Sequence, residues 1–331
     1  SDYDIDRHLT PFYNPWEQRM CLVPDSDFFK ALNKGSVSIA TDHIDRFAED
    51  GIVLRSGEEL GADLVVHTAA RVGEVGTSAQ FRAQTVESTR RVVAASADAG
   101  RLLHLSSIVV HGRAFPDPCP EHHPVQPTGN PYTDTKIASE HAVLQAMAAG
   151  RVRASVIRPG DVYGPGSRQW TVRAVEMLQA GTFALVDGDR GVLSPVFVDD
   201  VVGGGLAVAD HPAGQGEVFH VTGGAGVTPR VFFGHYARMA GVRLRSVPPG
   251  VARAAAPLVA GAFKLVGKAP PLSGRTLEYV THPGTYSIQK AADLVGWRPG
   301  VGLDEGMRRT EAWLRAEGLL EAKRDSGDGG D

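Results

Sequence analysis

From residue 62 onward, β-branched and apolar runs alternate with stretches of helical periodicity, and nothing else in the chain restricts its fold as much. ADLVVHTAA reads as a buried strand, Ala79 to Ala99 as a helix, RLLHLSSIVV as a strand, Pro131 to Ala149 as a helix and RASVIRPGDVYG as a strand again. Strands separated by helices imply a doubly wound parallel sheet, hence an α/β fold. Upstream, SVSIAT, IDRFAED and GIVLRSG are short runs punctuated by Asp, Gly and Ser; they predict a small meander, with SVSIAT (36–41) free to lie beside ADLVV. After Gly223 the pattern turns to helices, Pro229 to Gly241 and Leu303 to Glu317, joined by Pro and Gly loops. The polar, Gly-rich stretch 323–331 predicts a disordered tail.

Composition narrows the partners. With 42% apolar residues among 331, the chain can bury one large core or two modest ones. A formal net charge of −4 with scattered basic residues offers no footprint for nucleic acid or an anionic membrane. Cys21 and Cys119 cannot build a disulfide framework, which fits a reducing cytoplasm. The longest nearly apolar stretch, Val251 to Val266, is interrupted by Arg253 and Lys264 and falls short of a membrane span. No signal peptide is visible, and Ser1 in place of Met points to processing or to coding sequence further upstream.

The chemistry centres on NPYTDTK, 130–136. Tyr132 and Lys136 stand four apart in a predicted helix and so share a face. A tyrosine that works at neutral pH needs its phenolate stabilised by about 4 kcal/mol, and a neighbouring ammonium is the residue type that supplies it. LSSIVVHG, 105–112, ends a predicted strand about 25 residues upstream. Hydroxyls at the carboxyl end of a parallel strand sit where open α/β sheets bind ligands, so Ser107 is placed to bond the oxygen that Tyr132 protonates. RPGDVYGPG, 158–166, is a further strand end whose Pro and Gly residues let backbone approach a ligand.

These segments, in this order, resemble an extended short-chain dehydrogenase/reductase of the NAD-dependent epimerase/dehydratase and 3β-hydroxysteroid dehydrogenase kind, over about 63–320. HTAA (67–70) resembles the family's fourth strand and adenine-side turn, and QTVEST its N-V-x-G-T helix, with Thr85 and Ser88 where Asn and Gly are usual. VFVDDVV and SIQKAADLVGWRPGVGLDEGM resemble its later V-D-D and S-x-x-K-A-x-x-x-L-G-W-x-P elements. The resemblance implies Tyr132 as acid and base, Lys136 as holder of the nicotinamide ribose, and Ser107 as the group orienting the substrate oxygen. It implies cofactor contacts at Ala69, Ala70, Arg71, Thr85, Pro159 and Val162, and simple alcohol and ketone interconversion, since no Glu or Asp adjoins Ser107.

The front of the chain departs from that pattern. No G-x-x-G-x-x-G turn precedes Asp63 to hold a cofactor pyrophosphate, so NAD or NADP is expected to bind weakly. Instead, YNPWEQRMCLVPDSDFFKAL and the residues through ADLVV make 1–65 resemble a fragment of a flavin-containing monooxygenase of the Baeyer–Villiger type. The fragment lacks both nucleotide turns of that family, so FAD is not expected. The division this implies is 1–62, a monooxygenase-like fragment with the meander; 63–222, a Rossmann-like core lacking its first βαβ units; 223–322, a smaller, mostly helical substrate portion; and the tail 323–331. Three readings stay open: a nicotinamide-dependent oxidoreductase, an inactive hybrid with a binding role, and a part of a flavin monooxygenase fusion.

Other residues have plainer readings. Cys119, His122 and His123 sit in a Pro-rich loop without metal-site spacing, so no metal is expected. His111, where tyrosine is usual, reads as a strand-end side chain, and Asp199 and Asp200 as helix caps. Val251 to Val266 is either a plain core helix or an apolar wall for a lipophilic, sterol-like alcohol. The expected partner is a small-molecule substrate, and a homodimer is compatible with the sequence.

Overall fold

Four strands carry the central sheet of the computed structural model, which describes residues 34–35, 44–48, 51–61, 64–73, 76–97, 100–186, 191–248, 250–252, 254 and 284–320. Upstream of that sheet, β1 (Ile44–Ala48), β2 (Gly51–Leu54) and β3 (Glu59–Gly61) form an antiparallel meander; β1 and β2 fall in the expected IDRFAED and GIVLRSG runs, and β3 is an addition to them. The chain then enters β4 (Val65–His67), β5 (Leu102–Leu105) and β6 (Ala154–Pro159). All three are parallel, with Val65 opposite Leu102 and Leu102 opposite Ala154. A later strand, Val218–Val221, completes the order, so that β6 lies between it and β5. Among the described residues no strand pairs with the outer edge of β4. SVSIAT lies outside the described residues, as do the tail 323–331 and most of Val251 to Val266.

Helices cover both faces because successive strand residues point to opposite sides. Between β4 and β5 run α1 (Ser78–Phe81), a π-wound stretch Arg82–Glu87 and α2 (Ser88–Ala95), started by a Thr77–Gln80 capping box. Between β5 and β6 runs α3 (Pro131–Ala148), with Asn130 accepting from the Tyr132 N–H and Pro131 in the first turn. Val93 of α2 and Val143 and Ala146 of α3 pack on Leu102, Ala154 and Val156. The opposite face, Leu103, Ile157, Phe219 and Val221, is covered by Val201 and Val208 of a helix described below. The result is the Rossmann-like α/β fold that alternation predicts.

Two predicted strands are shorter than expected. RLLHLSSIVV stops at Leu105, and Ile108–His111 winds instead into a 3₁₀ turn whose start is capped by the Ser107 hydroxyl accepting from the Val109 N–H. His111 is therefore a buried turn residue and not a strand end. RASVIRPGDVYG divides at Gly160, where a Cβ would stand 2.2 Å from the Ser194 carbonyl oxygen. Beyond it β7 (Asp161–Tyr163) leaves the main sheet.

The carboxyl-terminal part begins with α4 (Arg173–Gln179) and β8 (Leu185–Val186). β9 (Pro195–Phe197) pairs in parallel with β7 and leads into α5 (Val198–Asp210), the helix on the second sheet face; β10 is the Val218–Val221 strand. Then follow α6 (Pro229–Met239), β11 (Ser246–Val247) paired with β8, α7 (Gln289–Val295) and α8 (Leu303–Ala316). Tyr163, Phe197, Phe232, Tyr236, Met307 and Trp313 form a core of their own among these elements. Asp199 and Asp200 are not caps: Phe197 holds the N-cap position of α5, with no side-chain cap bond, and both acids lie in the first turn. Asp200 instead accepts from the Gly300 and Val301 N–H groups at 2.8 and 3.1 Å, pinning the approach to α8 against α5.

Candidate active site

The carboxyl ends of β6, β5 and β4 lie side by side, and every residue singled out for catalysis or cofactor contact except Thr85 lies at one of them or on the elements just beyond. β5 delivers Ser106 and Ser107 there, and β6 delivers Pro159. α3 brings Tyr132 and Lys136 from its first two turns. Lys136 is 4% exposed, and its Nζ donates to the Leu105 carbonyl oxygen at 2.7 Å, which fixes the lysine two residues before Ser107. Burial holds this amine well below its ordinary range, at about 8, with Glu140 opposing the shift. Tyr132, half-buried, sits one turn earlier on the same helix.

At β4 the chain turns through Ala69, Ala70 and Arg71. Ala69 is exposed and Ala70 half-buried. The Arg71 N–H donates to the Thr85 hydroxyl at 3.0 Å, and its guanidinium bonds Gln84 and lies 5.4 Å from the centre of the Phe81 ring. Thr85 is buried, so its hydroxyl holds the 69–71 turn instead of facing outward. Val162 is half-buried in β7, and its carbonyl accepts from the Ser167 hydroxyl at 2.8 Å.

Beneath these residues lies a polar network that the strand and helix patterns hide. Ser106 donates to Glu140 Oε2 at 2.5 Å, and Arg158 of β6 binds both Glu140 oxygens, through Nε at 3.0 Å and through Nη2. The two charged side chains are 5% and 1% exposed. Such a pair survives burial only if paired and hydrogen-bonded, as it is here. One clue was legible: a charge inside an otherwise apolar buried strand requires a counter-charge, and Glu140 lies four residues after Lys136 on its helix.

A second group fills the α2 and α3 side of the sheet. His67 Nε2 lies 2.9 Å from the Thr89 hydroxyl, which spends its one proton on the Thr85 carbonyl, so His67 is the donor. The His67 and His104 rings are 5.3 Å apart, and neither nitrogen of buried His104 has a partner among the described residues. Burial first, and the Lys136 charge second, push His67 down to about 4 and His104 well below the usual imidazole range. In the unfolded chain these rings protonate near pH 6.5, so the folded state binds fewer protons and stability falls as pH drops from about 6.5 towards 4. Urea unfolding at several pH values is expected to show this loss, with His67 alone contributing up to about 3 kcal/mol; a flat profile would contradict it.

The model of the NAD dependent epimerase/dehydratase family matches residues 43–222, more than half of the chain. The chain belongs to that family. Among relatives of this epimerase/dehydratase member, the sterol-4-alpha-carboxylate 3-dehydrogenase erg26, decarboxylating, of Schizosaccharomyces pombe is 26% identical over 291 residues, covering 81% of this chain and 82% of that protein. The dTDP-glucose 4,6-dehydratase DesIV of Streptomyces venezuelae, solved with NAD bound, superposes with a TM-score of 0.61 at 23% identity, over 78% of this chain and 76% of that one; this likeness concerns the fold. The resemblance of the front segment is also met. The FAD-containing monooxygenase EthA of Mycobacterium tuberculosis is 52% identical over 64 residues, which are 19% of this chain and only 13% of the monooxygenase. No helix among the described residues is long and apolar enough to cross a membrane.

Proposed function

We propose that this epimerase/dehydratase family member interconverts a secondary alcohol and a ketone with NAD or NADP, through Ser107, Tyr132 and Lys136. The observation that carries the reading is the position of Lys136, bonded to the carbonyl at the carboxyl end of β5 on the helix that bears Tyr132. In this reading the Tyr132 phenol exchanges the proton of the substrate hydroxyl, and the Ser107 hydroxyl bonds the same oxygen. Lys136, while it carries its proton, favours the phenolate through its positive charge. Bound nicotinamide supplies the hydride acceptor or donor. The similarity to a sterol dehydrogenase over most of both chains favours a lipophilic, sterol-like alcohol.

The residues fit the cofactor in part. The nicotinamide side has Lys136, Pro159 and Val162, and Ala69 to Arg71 line the β4 turn. On the pyrophosphate side the outer edge of β4 has no neighbouring strand among the described residues, with Val66 48% exposed. We assign 63–222 to a truncated nucleotide-binding core, 223–322 to substrate binding and 1–62 to a monooxygenase-like fragment. Losing several backbone bonds to a charged group, at about 1.5–3 kcal/mol each, removes orders of magnitude in affinity. Isothermal titration of NAD(H) and NADP(H) is expected to show only weak binding; a low-micromolar dissociation constant would contradict the proposed loss. The large share of each monooxygenase that this chain does not span supports a second reading, a part of a fusion whose activity resides elsewhere.

A further inference from the structure

Two buried histidines, His111 and His220, share one contact outside the residues assigned to hydride transfer. Arg158 Nη1 donates to the Glu121 carbonyl at 2.9 Å and lies 3.0 Å from His111 Nε2. A guanidinium only donates, so His111 Nε2 must present its lone pair. The same nitrogen lies 2.8 Å from His220 Nε2, and the proton in that contact must then sit on His220. His220 Nδ1 in turn lies 3.1 Å from the Ser287 carbonyl oxygen, which only accepts, so that contact needs a proton on Nδ1 as well. A neutral imidazole has one N–H. Moving it to Nδ1 leaves two lone pairs facing each other, and moving a proton to His111 Nε2 sets N–H against N–H at Arg158. Both rings are fully buried, so bulk water does not reach the two nitrogens that face each other.

We propose that His111 and His220 form a single proton-accepting site. The neutral pair leaves the Ser287 carbonyl without its donor; one proton taken up on His220 supplies that donor, while the single lone pair of His111 Nε2 is shared between the Arg158 and His220 N–H groups. The site joins three pieces of the fold: the turn that follows Ser107, strand β10, and the segment leading into α7.

The surroundings decide when the proton arrives. Arg158 faces the pair from β6, with Glu140 of α3 behind it; Glu121 and His123 face it from the loop before α3, Lys290 from α7, and Tyr286 from the strand-like bridge to Cys119. Arg158, Lys290 and His123 oppose a further positive charge, and the Glu140 charge is already taken by Arg158. The pair is thus neutral near pH 7 and one proton short. Burial and Arg158 hold His111 at about 4 and His220 well below the usual imidazole range.

Imidazole ¹⁵N spectra of the whole chain test this. Near neutral pH, His220 is expected to carry its proton on Nε2 with Nδ1 bare, and His111 to carry it on Nδ1. On acidification, down to the lowest pH at which the fold persists, only one of the two rings gains a proton. In His111→Phe, His220 loses its acceptor partner and is expected to move its proton to Nδ1, towards Ser287. A wild-type His220 already protonated on Nδ1 at neutral pH overturns the proposal, as does an unchanged tautomer in a folded His111→Phe chain. If that variant does not fold, the neutral-pH tautomers of the wild type decide alone.

Discussion

Replacing Arg158 by methionine is expected to cost about 3–5 kcal/mol of folding stability, the largest single loss on the sheet side of the molecule. The guanidinium is the only cation bonded to the Glu140 carboxylate among the described residues, and both side chains are almost fully covered. Without it the carboxylate retains one hydroxyl donor, Ser106, and must either stay charged in a dry site or take up a proton. The loss should therefore shrink at acid pH. It should also shrink when the counter-charge goes too: Arg158→Met with Glu140→Leu is expected to recover much of the loss, because the cost lies in leaving one charge unpaired and less in the pair itself. Urea unfolding of the two variants separates these terms. A loss below about 1 kcal/mol in the single variant would mean that the carboxylate finds water or another donor.

What sequence could disclose here follows from how local each determinant is. The alternation of strand and helix is carried by every residue of the elements, so the parallel order of β4, β5 and β6 was legible, as was the i, i+4 placement of Tyr132 and Lys136. The ends of β5 and β6 were not. β5 stops because one hydroxyl, Ser107, prefers the Val109 N–H to a ladder, and β6 breaks because Gly160 passes against the Ser194 backbone, a contact between distant residues. Asp200 looked like a cap because capping is the local use of an acid in a first turn; its partners stand 100 and 101 residues away. The meeting of His111 with His220 spans 109 residues and leaves no periodic trace. The resemblance to the family set Thr85 among the cofactor contacts; the bond from the Arg71 N–H to its buried hydroxyl, which braces the turn, was not legible from the sequence.

Tyr132→Phe is expected to remove about two to four orders of magnitude of turnover once the chain is given a front that can hold a cofactor, namely a complete βαβ region in place of residues 1–62. The prediction requires the geometry of the retained half to be independent of that front. The contacts support this: Tyr132 is set by the Asn130 cap, Lys136 by the Leu105 carbonyl, and Ser107 by its own turn, and none of these partners lies before residue 63. Phenylalanine keeps the ring and its packing, so the helix start should persist and only proton exchange is lost. Nucleotide affinity should stay within a few-fold of the repaired parent, since the phenol takes no part in holding the pyrophosphate. The assay uses lipophilic secondary alcohols with both nicotinamide cofactors, following nicotinamide absorbance and measuring affinity separately by titration. Turnover that survives in the phenylalanine variant would move the acid and base role to another group, and one candidate on the same helix is Lys136, whose amine burial holds down at about 8.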